Sequence, residues 1–415
     1  MEKKLLSLDE IYNLDISKTK AFYSDFLNIN QSKMLSKFSY GRDKFIKAEG
    51  VYLYTDSGKK ILDFSGGIGV LNHGHNNQAV LDARIDFQNN KRMEVHKTVF
   101  SPYMAGLAHN IAQLLPKNLC KSFFCNSGSE SVEGAIKAAY KFHNSERKYI
   151  LHSDISFHGK TIGAGSISGA LDQSIFPRIN NTKSFKYNDK ESVETLINDL
   201  KNENGESNIY ALIIETFNNA SLRECSDEFI EFLREVTERY KIILIFDEVY
   251  TGWGKTGYLF HFFKYKNISP DILCTSKSLG GGKSSISAYT VDKFIYKQVY
   301  ENYNDAFLHT STYNGFGEEC ITAVVAINEL IKNKLVENSK KNGVLISKKL
   351  DDLKTCFPKY ISDVKGIGSI QGIVLNFSTT QLSRKVIEQV PILNQSISIL
   401  DKLPAAILSD YLYSK

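Results

Sequence analysis

A lysine directly behind an apolar strand is a candidate nucleophile, and Lys277 fits that description: DILCT (271–275) leads through Ser276 into Lys277 and then into three glycines. Burial at such a place disfavours the ammonium, lowers its pKa and readies the amine for imine formation with a carbonyl. A lysine that snorkels to the surface is the plainer alternative. A phosphate-binding P-loop around Gly282-Lys283-Ser284 fails on spacing, because Lys277 stands where the motif needs its first glycine. Upstream, KIILIFDEVYTGWGKTG (241–257) brings five apolar residues straight into Asp247 and Glu248. A carboxylate at the end of a buried strand points at the crevice where open α/β sheets bind ligands. There Asp247 could hold a metal, a ribose hydroxyl or a protonated ring nitrogen, or it could merely cap the loop. CNSGSESVEGAIKAAYKFH (125–143) is a small-residue turn running into an amphipathic helix. Its first N–H groups suit a phosphate on Gly128 and Ser129, or else Ser127 or Ser129 is an ordinary N-cap. FLHTSTYNG (307–315) adds hydroxyls and a histidine in a polar turn, the usual place for capping groups.

Other chemistries find less support. His73-Gly-His75 and the pair His152 and His158 lack a carboxylate or cysteine at ligand spacing, so no metal site is expected. No Gly-x-Ser-x-Gly elbow and no Cys/His nucleophile signature occurs. The six cysteines contain no Cys-x-x-Cys pair and several lie in apolar runs, which predicts buried free thiols in a reducing, cytoplasmic setting. The N-terminal stretch carries acids where a signal peptide needs an apolar core. The balance 51 − 46 = +5 over 415 residues is too small to imply nucleic acid or an anionic membrane without a local cluster, and none is seen.

Positioning such groups takes a sheet. KYILH (148–152), IYALIIE (209–215), KIILIFDE (241–248) and DILCT (271–275) are continuous apolar runs, with helical patterns between several of them. That is the pattern of a parallel sheet covered on both faces. EGVYLYTDSGKKILDF (49–64) predicts two strands joined by a turn at Asp56-Ser57-Gly58, behind a mostly helical arm. After Asn314 the pattern is helical to about residue 354, and VKGIGSIQGIVLNF (364–377) restores strand character. At 42% apolar residues the chain can bury a large core.

Taken in order, these features resemble the class III aminotransferases, pyridoxal-phosphate (PLP) enzymes of fold type I. The resemblance runs from about Gly50 to Gly372 through GVYLYTDSGKKILDFSGGIGVLNHGH, NSGSESVEGAIKAAYK, SFHGKTIGAGSISG, ETFNNASLRE, IFDEVYTGWGKTG, LCTSKSLGGG, HTSTYNG and VKGIGSIQGIVL. It implies an α/β fold with a mostly parallel sheet in a large PLP-binding domain over 66–325. A smaller α+β domain is then assembled from residues 1–65 and a truncated segment 326–415. By the resemblance, Lys277 forms the Schiff base with the cofactor aldehyde and shuttles the α-proton. Asp247 pairs with the pyridinium nitrogen. Ser127, Gly128 and Ser129 match the phosphate cup, Phe157 and Val249 match the residues flanking the ring, and His158 goes with the cofactor residues. Thr312 matches a threonine that reaches the phosphate from a neighbouring subunit, which implies a homodimer with shared active sites.

Three departures bear on the substrate. Glu215-Thr-Phe-Asn-Asn-Ala keeps an acid that gates a substrate arginine but lacks the family's Pro and Gly. Tyr250 stands where many members carry Gln, and a tyrosine can still donate to the cofactor's phenolic oxygen. No arginine follows Arg384 to clamp a substrate carboxylate, and the chain ends about one strand and one helix short of the family pattern. The expected activity is transfer of an amino group from an amine or amino acid, of omega-amino or diamino type, to a 2-oxo acid in a ping-pong reaction. Two alternatives are a racemase or epimerase on the same scaffold, which returns the proton to the opposite face, and a non-catalytic interaction domain.

Overall fold

Short aliphatic strands alternating with amphipathic helices build the chain, whose residues 5–171, 177–376 and 403–414 are described in a computed structural model. They divide into two units. The smaller contains Met1–Phe64, Leu353–Asp363 and Ile373–Lys415, and the larger contains Ser65–Asp352 and Val364–Gly372.

In the smaller unit, β1 (Phe45–Glu49), β2 (Tyr52–Thr55) and β3 (Lys60–Leu62) form an antiparallel meander. The turn expected at Asp56-Ser57-Gly58 does join two strands, and Gly58 takes φ +83°, which a side chain would disfavour. The first strand of the three escaped the sequence reading. The arm ahead of it is helical as expected, with Leu8–Tyr12, Ile16–Phe22 and Ile29–Leu35 each capped by a polar residue, Ser7, Asp15 and Asn28. The helix Leu403–Tyr413 is fastened by Tyr413, whose hydroxyl donates to Asp43 over 2.7 Å.

The larger unit contains β4 (Leu119–Cys125), β5 (Tyr149–Ser153), β6 (Thr182–Phe185), β7 (Ile209–Ile214), the short pair β8 (Phe217–Asn218) and β9 (Arg223–Glu224), β10 (Ile243–Asp247), β11 (Ile272–Thr275) and β12 (Ser287–Asp292). Seven of these form one sheet in the order β4-β12-β11-β10-β7-β5-β6. β6, β5, β7, β10 and β11 are mutually parallel, and β12 is antiparallel to both β11 and β4. β4 therefore points the same way as the parallel set. The four apolar runs singled out in the sequence are β5, β7, β10 and β11, whereas β4, β6 and β12 were not anticipated as strands. The strand character expected over 364–377 is found in β13 (Ile361–Ile367) and β14 (Ile370–Leu375), which pair with each other.

Alternation along the strands divides the core. On β10, Leu244 and Phe246 join one apolar cluster while Ile243 and Ile245 join the other. The helix Asp227–Arg239 lays Phe229, Ile230 and Leu233 on the first face, and the helix Gly128–Phe142 lays Val132, Ala135 and Ala139 on the second. Every residue of β7 is buried, which is why its sequence shows no polar alternation. Among the described residues no helix is long and apolar enough to cross a membrane. Cys125, Cys225, Cys274 and Cys320 are buried free thiols.

Candidate active site

The strands that run together end at one edge, and each parallel or co-directional strand of the centre delivers a group there. Asp247 is the last residue of β10, Glu215 follows β7, and Lys277 stands two residues beyond β11. Phe157 and His158 follow β5, and the turn Asn126–Ser127 after β4 leads into the helix Gly128–Phe142. A cavity of about 270 Å³ is lined by Gly128, Ser129, Phe157, His158, Glu215, Asp247, Val249, Tyr250 and Lys277, together with Ile68, Gly159, Asn219, Ala220 and Ser276. Nine residues singled out in the sequence thus converge, at the carboxyl ends of strands as the sheet rule requires.

Asp247 is fixed from two sides. Its Oδ1 accepts the Val249 N–H over 2.9 Å, and Oδ2 lies 2.7 Å from His158 Nδ1. With the carboxylate ionised, Nδ1 carries the proton of that bond, and the buried Nε2 of His158 has no partner among the described residues. His158 itself is held by its backbone N–H donating to Ser168 Oγ over 2.8 Å. Lys277 takes φ +47°, an uncommon conformation for a residue with a side chain. Its amine makes no hydrogen bond or ion pair among the described residues and lies 5.1 Å from the centre of the Tyr250 ring. Burial lowers the Lys277 pKa, against the pull of Asp247 and Glu215. Burial also raises the Tyr250 pKa, so its hydroxyl keeps its proton as a donor.

Glu215 is the most perturbed acid of the cavity. Burial pushes its pKa up to about 7, helped by the charge of Asp247, while His158 and the donors Phe157 N–H and Asn218 Nδ2 hold it back. Those donors reach Oε2 over 3.0 and 2.7 Å, and Asn218 also donates to Ile155 O over 3.0 Å. Asn218 thus ties the Glu215 carboxyl to the backbone just past β5. A stability signature follows. The usual glutamate value is 4.5 and the folded value is about 7, so the native state retains a proton that the unfolded chain has released. This contribution is full below the unfolded pKa and is lost as pH rises through 7. Cofactor-free Glu215→Gln should therefore lose less stability than the parent between pH 5 and 8, by roughly 2–3 kcal/mol in urea titrations. Parallel pH profiles would contradict the burial of this acid.

The phosphate-cup residues separate in role. Ser127 closes a capping box: its Oγ accepts the Glu130 N–H over 3.3 Å, and Glu130 Oε2 accepts the Ser127 and Asn126 N–H groups over 2.8 and 2.7 Å. Its side chain is thus the N-cap the sequence allowed for and does not line the cavity. The N–H groups of Gly128 and Ser129 have no partner among the described residues. A Cβ on Gly128 would come within 2.6 Å of Val249 Cγ1, and one on Gly159, at φ +133°, within 2.2 Å of Ser129 Oγ. Both glycines let backbone close in on the cup. Thr312 is exposed and does not line the cavity of its own chain, although Ser311 Oγ donates to Asn126 Oδ1 over 3.1 Å. Arg384 lies outside the described residues. Ile68, Asn219 and Ala220 were not foreseen. Ile68 carries no chemical signal, and the two others lie in the segment that departs from the family pattern.

The donor set fits PLP: an unpartnered amine for the aldehyde, an oriented carboxylate for a ring nitrogen, two flat or branched side chains as walls, and free helix N–H groups for the phosphate. Comparison with known proteins agrees. The family model described as Aminotransferase class-III matches residues 42–395. The acetylornithine aminotransferase of Clostridium acetobutylicum is 32% identical over 372 residues, covering 86% of this chain and 90% of the relative. That of Prochlorococcus marinus subsp. pastoris is 32% identical over 347 residues, covering 81% and 80%. Among solved structures, an (S)-enantioselective omega-transaminase from Thermomicrobium roseum superposes with a TM-score of 0.75 at 26% identity over 88% of this chain and 84% of its own. A transaminase from the marine bacterium Virgibacillus shares the fold with a TM-score of 0.79 at 24% identity over 90% and 88%. Lys277, Asp247 and the glycine-lined helix start thus sit in a fold type I scaffold matched over most of its length, and the chain belongs to the class-III aminotransferases, PLP-dependent enzymes that transfer amino groups.

Proposed function

We propose that this aminotransferase takes its amino group from an omega-amino or diamino donor and passes it to a 2-oxo acid, with Lys277 and Asp247 as the catalytic pair. The observation that carries the assignment of residues is the convergence of the unpartnered Lys277 amine and the fixed Asp247 carboxylate on one cavity. PLP, when bound, supplies an aldehyde for the amino group and an electron sink for the bond that breaks. Asp247, oriented by Val249 and His158, holds a proton at the ring nitrogen. Lys277, less basic than a free lysine, would hold the cofactor through its aldehyde and would carry the proton of the donor carbon that bears the transferred amine. Phe157 and Val249 keep water from the two faces, and Gly128 and Ser129 hold the phosphate by their N–H groups. Tyr250 donates to the phenolic oxygen.

The donor class is supported by the acetylornithine aminotransferase relatives and by Glu215, an acid with a pKa of about 7 in the cavity wall. Ionised, it suits a distal ammonium; protonated, it does not repel a carboxylate. A donor screen against 2-oxoglutarate and pyruvate should therefore rank N-acetylornithine, ornithine and 4-aminobutyrate at least ~10-fold above monoamines without a second polar end in kcat/KM. Loss of chirality of an amino acid without oxo acid, with no amino transfer, would favour the racemase alternative instead.

We place the active enzyme in a homodimer, with Thr312 of the partner subunit completing the phosphate site. Support comes from Thr312 lying outside its own cavity and from exposed apolar side chains of the larger unit, Ile68 at 77% and Phe100 fully. A cytoplasmic location suits six unpaired cysteines.

A further inference from the structure

Lys255 lies outside the cavity lining and is only 6% exposed. It forms no ion pair among the described residues; its Nζ donates to Gly252 O over 2.9 Å and to Ser278 Oγ over 2.8 Å. Ser278, the residue after Lys277, passes its own proton on to Asn72 Oδ1 at 2.8 Å or Gly69 O at 3.1 Å. The backbone of Lys255 is held in turn, its carbonyl accepting from Ser339 Oγ over 2.6 Å and from the Ser369 N–H over 2.8 Å. The Tyr250 ring has Lys277 Nζ 5.1 Å and Lys255 Nζ 5.8 Å from its centre.

We propose that Lys255 is a positioning residue for the reaction, holding Lys277 through Ser278 in the left-handed backbone conformation that aims its amine into the cavity. That region is strained for a residue with a Cβ, so Lys277 at φ +47° needs neighbours that over-determine it. Ser278 is where they act: a buried hydroxyl that accepts from an amine and donates to an amide or carbonyl is fixed in rotamer and rotation. Burial and the nearby Lys277 charge push the Lys255 pKa well below its ordinary value, with Glu248 opposing. A neutral amine still has the two N–H groups that Gly252 and Ser278 take up. The charged or titratable groups around the pair are Glu248, Tyr250 and His73 beside Lys255, and Asp247, Glu215 and Tyr250 beside Lys277.

The inference rests on Lys277 being the cofactor lysine, and the test separates the two. In PLP-loaded enzyme, Lys255→Met and Ser278→Ala should each lower kcat about tenfold with donor KM within about twofold, the mark of a misplaced group rather than lost binding. Each should also move the pH midpoint of the lysine–cofactor absorption band by about half a unit or more. The double variant should be no worse than the poorer single one. An unmoved midpoint in folded Lys255→Met, or losses that multiply in the double variant, would overturn the proposal. If Lys255→Met does not fold, Ser278→Ala decides alone, since it cuts the same link while leaving Lys255 in place. A band absent from the parent, or surviving Lys277→Ala, would instead overturn the assignment of Lys277.

Discussion

Lys277→Ala is expected to cut transamination by at least ~10⁴-fold, the scale seen when a nucleophile that also moves the proton is removed. Two roles fall together. The amine that faces the cofactor cavity without a partner among the described residues disappears, and no other amine lines that cavity. The purified variant should bind PLP without the lysine–cofactor absorption band, and borohydride should no longer fix the cofactor to the chain. Folding should survive, because removal of a buried amine relieves a desolvated group. Residual turnover above about 1% of the parent, well beyond the scale of a surviving knock-out, would place the proton transfer on another residue.

Asp247→Asn is expected to be the second most damaging change, lowering the rate of a single half-reaction by roughly 10²–10³-fold, the range found when one preorganised electrostatic contact is lost. The substitution keeps the shape of the side chain and its Oδ1 bond from Val249, so the loss isolates the charge. Without the carboxylate the ring nitrogen has no anion to keep it protonated, and His158 Nδ1 faces a neutral amide instead of a charge-assisted acceptor 2.7 Å away. Rapid mixing of the PLP form with donor in the absence of oxo acid reads this rate directly. A rate within about fivefold of the parent would mean that the carboxylate only shapes the loop, since its electrostatic share is expected to be far larger.

Both residues were legible in the sequence for the same reason. Each follows an unbroken apolar run, and such a run is a strand buried on both faces whose end must meet the crevice. β7 and β5 were equally plain. β12 was not, because SAYTVD mixes hydroxyls with apolar residues, and its identity comes from pairing with β4, more than 160 positions earlier. The helix start was ambiguous for a physical reason as well: a serine cap and an anion site use the same N–H groups. The structure divides them, Ser127 and Glu130 taking the cap and Gly128 and Ser129 facing the cavity. Asn218 was read only as a departure from a motif, since its grip on Glu215 and Ile155 depends on where β5 and β7 end in space. Lys255 gave no signal at all. In sequence it is one more lysine in a glycine-rich loop, and burial without an ion pair among the described residues is a property of the fold.

The edge opposite the cavity has a use of its own. The exposed turn Asn202–Glu206 precedes β7 at that edge, and a chain opened between Asn204 and Gly205 would divide the site without touching it. One fragment would hold Gly128, Ser129, Phe157 and His158, the other Glu215, Asp247 and Lys277, and neither could transaminate alone. Because β7 seats itself between β5 and β10, the sheet would be the fastener that joins them. The fold thereby offers a two-piece reporter in which catalysis registers reassembly.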